Sequence, residues 1–299
     1  MNLLPLHAQF SKFLELERQR TIRTIKTYEK NFDYFIEWLE ANDYSTSLDS
    51  LQFPIIKDYM YYMRESGLDQ NTVRLRMVSL NSFLDFLVNW DYLEKNPIKG
   101  KLHYAKKKIS MNNCINIDEL ENLLNVPDEL YRKTGREHYF QGAVMLRTML
   151  YTGVRRGGLL GLNWEHIDLT NNSLLVKIKG GEIKKFPVTE KLKERLLALK
   201  KLRGAISGPV FLGVRSKKRL TETQLTYEFK FYCKLAGIQS KFRIHDMRHQ
   251  CATYLVDNGM PVEQVKEVLG HKDINSTMIY YHGNTGKLKR AMDAAFSRL

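Results

Sequence analysis

The last quarter of the chain carries two histidines, an arginine and a tyrosine at spacings that suit a single site. His245 and Arg248 are three residues apart, so on one turn of helix they share a face. His271 follows the glycine at the end of an apolar helical run, and Tyr280 lies nine residues beyond it. A phenol has an ordinary pKa of about 10, so a tyrosine that attacks a phosphodiester needs neighbours that bind the phosphate and move protons. This group of residues is typical of that chemistry.

Two cations further upstream suit the same chemistry. Arg155 follows a glycine turn at the end of an apolar helix, where its planar guanidinium can bind two phosphate oxygens. The adjacent Arg156 has the same chemistry and remains an alternative, although it would point in a different direction. Lys179 leads into a predicted β-turn, and near other cations its proton is easier to donate, which fits a general acid. Taken alone, Arg155 is interpreted as a solvated surface charge, and Lys179 as an ordinary solvated lysine beside Lys177, Lys184 and Lys185.

Two neighbours of these residues receive a different interpretation. His249 is interpreted as a helix-ending polar residue. Tyr281 is the second phenol of the last segment, and on a helix it would point about 100° away from Tyr280. Most tyrosines at such positions are half-buried packing residues, so spacing alone leaves the nucleophile open between the two.

The composition predicts a nucleic-acid partner. The 299 residues include 47 Lys and Arg against 33 Asp and Glu, which is a formal net charge of +14. Such an excess predicts a polyanionic partner. No apolar run approaches the ~18–20 residues of a membrane-spanning helix, and the start of the chain is too short and polar for a signal peptide. We therefore expect a cytoplasmic protein that binds nucleic acid and has no membrane partner.

No metal or cofactor site is predicted. Cys114, Cys233 and Cys251 are far apart and lack the spacing of zinc ligands, so we interpret them as reduced, mostly buried thiols. The sequence also contains no P-loop and no carboxylate cluster suited to Mg²⁺. We therefore expect the chemistry to need neither a nucleotide nor a metal.

Hydrophobic periodicity predicts a mainly α protein with a small antiparallel β-sheet, built as two domains. Residues 1–105 show only helical patterns, residues 106–113 form a basic linker, and residues 114–299 form a second, mixed domain. In the first domain the predicted helices are Ile25–Leu39, Pro54–Met63 and Val73–Leu87, the last behind an expected cap at Asn71.

The second domain combines helices with one hairpin. Helices are predicted from about Asp118 and up to Tyr151. Two strands, Leu174–Ile178 and Ile183–Val188, should form the hairpin through Gly180-Gly181. The remaining chain predicts helices again, first with Leu192, Leu196 and Leu199 on one face, and then over Thr223–Leu235, Arg248–Asn258, Val262–Leu269 and Asn275–Tyr281.

The ordered series of these motifs resembles the tyrosine recombinase family, the phage-integrase-like and Xer-like site-specific recombinases. In that family Arg, Lys, His, Arg, His and Tyr form the active site, and the matching residues here are Arg155, Lys179, His245, Arg248, His271 and Tyr280. The resemblance covers about residues 115–290, and residues 5–105 resemble the family's helical core-binding domain. It implies a two-domain clamp, with an N-terminal core-binding domain and a C-terminal α+β catalytic domain.

The resemblance also implies a mechanism. Tyr280 would attack a phosphodiester of duplex DNA, form a 3′-phosphotyrosyl bond and free a 5′-hydroxyl, which later attacks the partner strand. The bond energy is kept in the covalent intermediate. The implied roles are charge stabilisation by Arg155 and Arg248, a phosphate hydrogen bond from His271, acceptance of the phenolic proton by His245, and donation to the leaving oxygen by Lys179.

The implied partners are double-stranded DNA with inverted core sites and further copies of the chain, as a tetrameric synapse. Residues 287–299 carry an apolar stripe that predicts a docking helix for a neighbouring protomer, with packing on its own domain as the alternative. One position departs from the family. The usual Glu three residues after the first arginine is replaced by Gly158, so we expect Arg155 to lack that structural support.

Several functions remain open within this resemblance. Because the predicted core-binding helices begin near the start of the chain, we expect no additional arm-binding domain, and we favour a Xer-like or transposon-type resolvase. A small mobile-element or phage integrase is the alternative. A type IB topoisomerase and a catalytically impaired DNA-binding protein are more distant hypotheses, and a helical structural protein would need no such residue set.

Overall fold

The computed structural model describes residues 1–101, 113–177, 181–204 and 207–270. Lys179, His271 and Tyr280, and with them the predicted helix Asn275–Tyr281 and the segment 287–299, lie outside the described residues. The chain divides into two compact units, Met1–Ser110 and Met111–Leu299.

The described part of the first unit contains the helices α1 Leu3–Leu16, α2 Ile22–Ala41, α3 Phe53–Glu65 and α4 Gln70–Asn89, with a 3₁₀ turn at Leu48–Ser50. The start of α4 differs from the prediction. The carboxylate of Asp69 accepts a hydrogen bond from the backbone N–H of Asn71 at 2.8 Å, so Asp69 is the cap and Asn71 lies inside the helix. The prediction of a cap at Asn71 is therefore wrong.

The core of the first unit contains a cluster of aromatic rings among aliphatic side chains. The ring of Phe83 lies 5.2 Å from that of Phe32 and 5.5 Å from that of Phe10, measured between centroids. His7 stacks on Phe32 at 3.8 Å, and burial lowers the pKa of His7 from 6.5 to about 4. The imidazole is therefore neutral at pH 7 and packs as an aromatic ring.

The second unit combines helices with a three-stranded sheet. Its helices are α5 Ile117–Thr134, α6 Glu137–Thr152, α7 Arg156–Leu160, α8 Glu190–Arg203, α9 Glu222–Leu235, α10 Ile244–Asp257 and α11 Val262–Leu269. The strands β1 Ile167–Asp168, β2 Ser173–Lys177 and β3 Ile183–Pro187 are antiparallel in the order β1-β2-β3. The predicted fold class, mainly α with a small antiparallel sheet, is confirmed. The short elements α7 and β1 were not predicted, because neither is long enough to show a hydrophobic period.

Helix α6 is the centre of the second unit. It packs against α5, α8 and α10, and its residues from Gln141 to Leu150 are all buried. The predicted apolar face of α8 is confirmed, since Leu192, Leu196 and Leu199 are fully buried. Helix α10 begins at Ile244, four residues before the predicted start. No helix of the described ranges is both long enough and apolar enough to cross a membrane.

Candidate active site

Arg248 lies where two helices end. It is only 4% exposed, its Nη1 donates to the carbonyl of Gly153 at 2.6 Å, and its Nη2 donates to the carbonyl of Leu269 at 2.7 Å. Gly153 ends α6 and Leu269 ends α11. The last carbonyls of a helix lack partners within the helix, so a buried guanidinium between two such ends is well satisfied.

Only a glycine fits at position 153. Its φ is +61°, and a Cβ built there would lie 2.3 Å from Cδ2 of Leu269. A side chain there would clash with the side chain of Leu269 and strain the backbone. The glycine turn noted in the sequence thus brings the ends of α6 and α11 close enough for one arginine to join them.

Arg155 follows the same turn. It is the residue before α7, with extended backbone angles of φ −68° and ψ 151°, and its side chain is exposed. Burial is the largest cause that lowers the pKa values of His245 and Lys184, and the positive charge of Arg155 adds to both shifts. Arg155 is therefore close to the groups around Arg248 while remaining open to a ligand.

Arg156 has a different environment. Its Nη2 forms an ion pair with Glu222 of α9 at 3.0 Å. This pairing directs the Arg156 side chain toward α9. Of the two adjacent arginines, Arg155 is therefore the better candidate for a phosphate ligand.

His245 lies in the first turn of α10, next to these cations. Partial burial and the positive charges of Arg248 and Arg155 lower its pKa, against an opposing effect of Asp246. A neutral imidazole can accept a proton, whereas an imidazolium cannot. The environment of His245 therefore suits a general base.

The interpretation of His249 as a helix-ending residue is wrong. It lies inside α10, which continues to Asp257, and its ring packs edge-on against that of His245 at 4.9 Å. Burial is the largest cause that lowers its pKa, followed by the charge of His245. His249 therefore packs beside the candidate base.

Sequence reasoning missed Asp246, which fixes the start of α10. It is 2% exposed, and its Oδ2 accepts from the backbone N–H of Arg243 at 2.9 Å and from Nε of Arg243 at 3.2 Å. An acidic residue three positions after the N-cap is the sequence signal that could have identified this cap. The cap sets where the turn carrying His245 and Arg248 begins.

Lys184 of β3 is a further residue that the sequence did not single out. Its Nζ donates to the carbonyl of Glu267 in α11 and lies 5.1 Å from the centroid of the Phe186 ring. Burial, Arg248 and Arg155 lower the pKa of Lys184. Lys184 is therefore a partly buried lysine that contacts α11.

Position 158 has no room for the glutamate usual in the family. A Cβ on Gly158 would lie 2.5 Å from Cγ1 of Val176 and 2.9 Å from Cγ2 of Val154. Helix α7 therefore packs directly against β2, and this contact supports the turn that carries Arg155. The expectation that Arg155 lacks the support of a carboxylate stays a prediction.

The structure thus brings together Arg155, His245 and Arg248 of the six predicted residues. In the described ranges, no three His, Cys, Asp or Glu side chains are grouped as metal ligands would be. Cys114 is exposed, whereas Cys233 and Cys251 are buried, and burial raises the pKa of each buried thiol to about 12. Those two cysteines are therefore core residues.

Both units match family models. The phage integrase family matches residues 113–287, and the N-terminal SAM-like domain of phage integrases matches residues 8–90. Tyrosine recombinase XerC of Escherichia coli O139:H28 is 26% identical over 295 residues, which cover 97% of this chain and 95% of that protein. XerC of Yersinia pestis is 27% identical over 304 residues, with 99% and 96% covered.

Solved structures share the fold. The XerH site-specific recombinase bound to palindromic difH substrate has a TM-score of 0.71 at 21% identity, covering 96% of this chain and 84% of that chain. The Tn1549 transposon integrase in complex with transposon right end DNA has a TM-score of 0.73 at 20% identity, covering 99% and 100%. Because the identities are low, these likenesses concern the fold.

The chain belongs to the phage integrase family. The predicted class is confirmed: the protein is a tyrosine recombinase, a member of a family of DNA strand-transfer enzymes that carry out site-specific recombination.

Proposed function

We propose that the chain cleaves and rejoins double-stranded DNA through a 3′-phosphotyrosyl intermediate on Tyr280, as a Xer-like or transposon-type resolvase. The observation that carries this proposal is the position of Arg248, which joins the ends of α6 and α11. Arg155 and His245 lie close enough for their charges to interact. The likeness to XerC over nearly the whole chain supports the Xer-like subtype.

The chemistry is a transesterification. The phenolic oxygen of Tyr280 forms a bond to phosphorus while the bond from phosphorus to the 5′ oxygen breaks. His245 accepts the phenolic proton, and Lys179 donates a proton to the leaving oxygen. Arg155 and Arg248, with His271, stabilise negative charge on the nonbridging oxygens, for which one strong oxyanion contact contributes about 3–4 kcal/mol. No net hydrolysis occurs, so the reverse attack by a 5′-hydroxyl rejoins a strand.

The first unit supplies a surface suited to duplex DNA. Helices α2 and α4 pack together, with Asn31 donating to Ser79 at 2.9 Å. On this face Arg76 stacks over Tyr34 at 3.7 Å, and Lys30 lies 5.7 Å from the same ring. These cations, held by an aromatic ring, support the proposal that residues 1–105 form a core-binding domain that contacts phosphates.

The proposed assembly is a tetramer of this chain on two duplexes with inverted core sites. In each protomer the two units are proposed to bind the duplex as a clamp. Structures of DNA-bound recombinases with the same fold support a DNA partner. Residues 287–299 are proposed to dock on a neighbouring protomer. Deleting them should leave single-site binding intact and remove cooperative occupancy of two sites.

A suicide duplex tests the function directly. A nick placed just 3′ of the scissile phosphate lets the short fragment that carries the new 5′-hydroxyl diffuse away, so the covalent protein–DNA adduct accumulates and resists SDS. The wild-type protein should form the adduct, Tyr280→Phe should abolish it while preserving binding, and Tyr281→Phe is the matched control that should retain it. An adduct formed by Tyr280→Phe would show that another residue is the nucleophile.

A further inference from the structure

The side chain of Lys184 crosses from the edge strand β3 to the end of α11. Lys184 shares a strand face with the buried Phe186, whereas the neighbouring Lys185 is exposed. Its Nζ donates to the carbonyl of Glu267, in the last turn of α11. A cation at a helix C-terminus also interacts favourably with the helix dipole. Lys184 therefore ties the strand that follows the predicted catalytic loop to this helix end.

The same helix end holds Arg248. The carbonyl of Leu269, two residues beyond Glu267, accepts from Nη2 of Arg248 at 2.7 Å. Two cations from different elements thus bind neighbouring carbonyls of one helical turn. A shift of that turn would move the acceptor on which the Arg248 guanidinium depends.

Gly270 makes room for the lysine. A Cβ built on Gly270 would lie 2.6 Å from Nζ and 2.7 Å from Cδ of Lys184, and its φ is +67°. The stem of Lys184 therefore passes directly against the glycine backbone. This contact places Lys184 against the residue that precedes His271 in the sequence.

We propose that Lys184 is a positioning residue for DNA cleavage, which fixes the last turn of α11 and, through the Leu269 carbonyl, the guanidinium of Arg248. This role rests on the proposed function. Lys184 acts on the geometry of Arg248, and the proton for the leaving oxygen comes from elsewhere.

The charges around Lys184 agree with this role. Burial, followed by the charges of Arg248 and Arg155, lowers its pKa, while Glu267 opposes the shift. Three cations are thus held close together, and their repulsion is relieved when a phosphate binds among them. The carbonyl of Glu267 holds the lysine in place when no phosphate is bound.

Three variants distinguish a positioning role of Lys184 from a general effect of its charge and from proton donation. Lys184→Met removes the donor and the charge but keeps a long stem. Lys185→Met removes the same charge from the opposite face of the strand and is the matched control. Lys184→Arg keeps both charge and donor. The rate of adduct formation at saturating protein is measured on a suicide duplex with an ordinary 5′ oxygen and on one with a 5′-bridging sulfur, which leaves without protonation.

Lys184→Met should slow cleavage of both substrates equally, by roughly tenfold to a hundredfold, because a small misplacement of a phosphate ligand costs rates of that order. Lys185→Met should stay close to wild type, and Lys184→Arg should recover most of the rate. In a double-mutant cycle with Arg248→Lys, the two losses should be less than additive, because Lys184 acts through Arg248.

Three results would overturn the role of Lys184. These are equal rates for Lys184→Met and Lys185→Met, additive losses in the cycle, or recovery of Lys184→Met on the sulfur substrate, which would make Lys184 a proton donor. If Lys184→Met does not fold, Lys184→Gln replaces it in every comparison. A wild-type protein that forms no adduct would contradict the proposed function itself.

Discussion

The described residues of the two units differ in whether charged side chains are buried beside the apolar core. In the described residues of the first unit, the core consists of aliphatic and aromatic side chains, and burial keeps His7 neutral. The second unit buries Arg147, Asp246 and Arg248. Each is held by hydrogen bonds, as when Nη2 of Arg147 pairs with Asp128 of α5 at 2.7 Å.

This difference indicates that the core of the first unit serves stability, whereas the buried charges of the second unit serve the candidate active site. Buried rings contribute stability through apolar area and need little directional contact. Buried charges cost free energy unless every one is paired, so they persist where the position of a charge is needed. In the second unit, charge is buried where α6, α10 and α11 meet and Arg248 is held, despite the free-energy cost.

The largest expected effect is the loss of cleavage rate when either arginine of the site is replaced, and the two variants should differ in stability. Arg248→Ala and Arg155→Ala should each slow adduct formation by roughly a hundredfold to a thousandfold, since each removes one strong oxyanion contact. Arg248→Ala should also lower the free energy of unfolding by about 1–3 kcal/mol, because the carbonyls of Gly153 and Leu269 lose their donor.

Arg155 is exposed, so Arg155→Ala should leave the thermal unfolding midpoint near that of wild type. Adduct kinetics measure the expected loss of cleavage rate in the two variants, and thermal unfolding measures their stability. Equal loss of stability in the two variants would contradict the structural role assigned to Arg248.

The stability of the second unit should depend on pH because the carboxylate of Glu228 is buried. Burial raises the pKa of Glu228 from 4.5 to about 7, and its Oε2 is buried without a partner among the described residues. Between these pH values the folded state binds more protons than the unfolded state, so stability should fall as pH rises from about 4.5 to 7 and level off above.

Glu228→Gln should remove this slope and stabilise the protein at pH 8 by about 3 kcal/mol at most, since a carboxamide carries no charge to bury. Denaturant unfolding, followed by Trp164 fluorescence after Trp38 and Trp90 are replaced by Phe, reports on this unit. A slope that persists in Glu228→Gln would assign the titration to another group.

The first unit should respond to pH with the opposite sign. Burial lowers the pKa of His7 from 6.5 to about 4, so between these values the unfolded state binds more protons than the folded state. Stability should be complete above pH 6.5 and decline as pH falls toward 4, by about 3 kcal/mol at most.

Fluorescence of Trp38 and Trp90 in a Trp164→Phe background follows this unit. His7→Leu should unfold with no such acid dependence. If the first unit of His7→Leu lost stability over the same pH range as wild type, burial of His7 would not be the cause.

Much of the fold could be predicted because its signals are local. The repeat of Leu192, Leu196 and Leu199 identified the buried face of α8, and the alternating runs after Leu174 identified the hairpin. The errors are also local in origin. At the start of α4, Asp69 and Asn71 are both good caps, and the side chain that reaches a free N–H decides between them.

The candidate site was predictable as a set of residues because order and spacing along the chain match a family pattern. Spacing does not say which neighbour supports which group. By chemistry alone the sequence left Arg156 as an alternative to Arg155, and the ion pair of Arg156 with Glu222 in α9 favours Arg155. It also gave no reason to choose Lys184 over Lys185, which differ only in the face of β3 on which they lie.

The sequence by itself determined the class of enzyme, the helical first unit and the set of candidate catalytic residues, because these depend on composition, period and order. Only the tertiary structure decided that Val176 and Val154 occupy the space beside Gly158, and that the ends of α6, α11 and β3 meet at Arg248 and Lys184. Such contacts join residues far apart in the chain, and their free energy depends on distance and burial, which no local pattern contains.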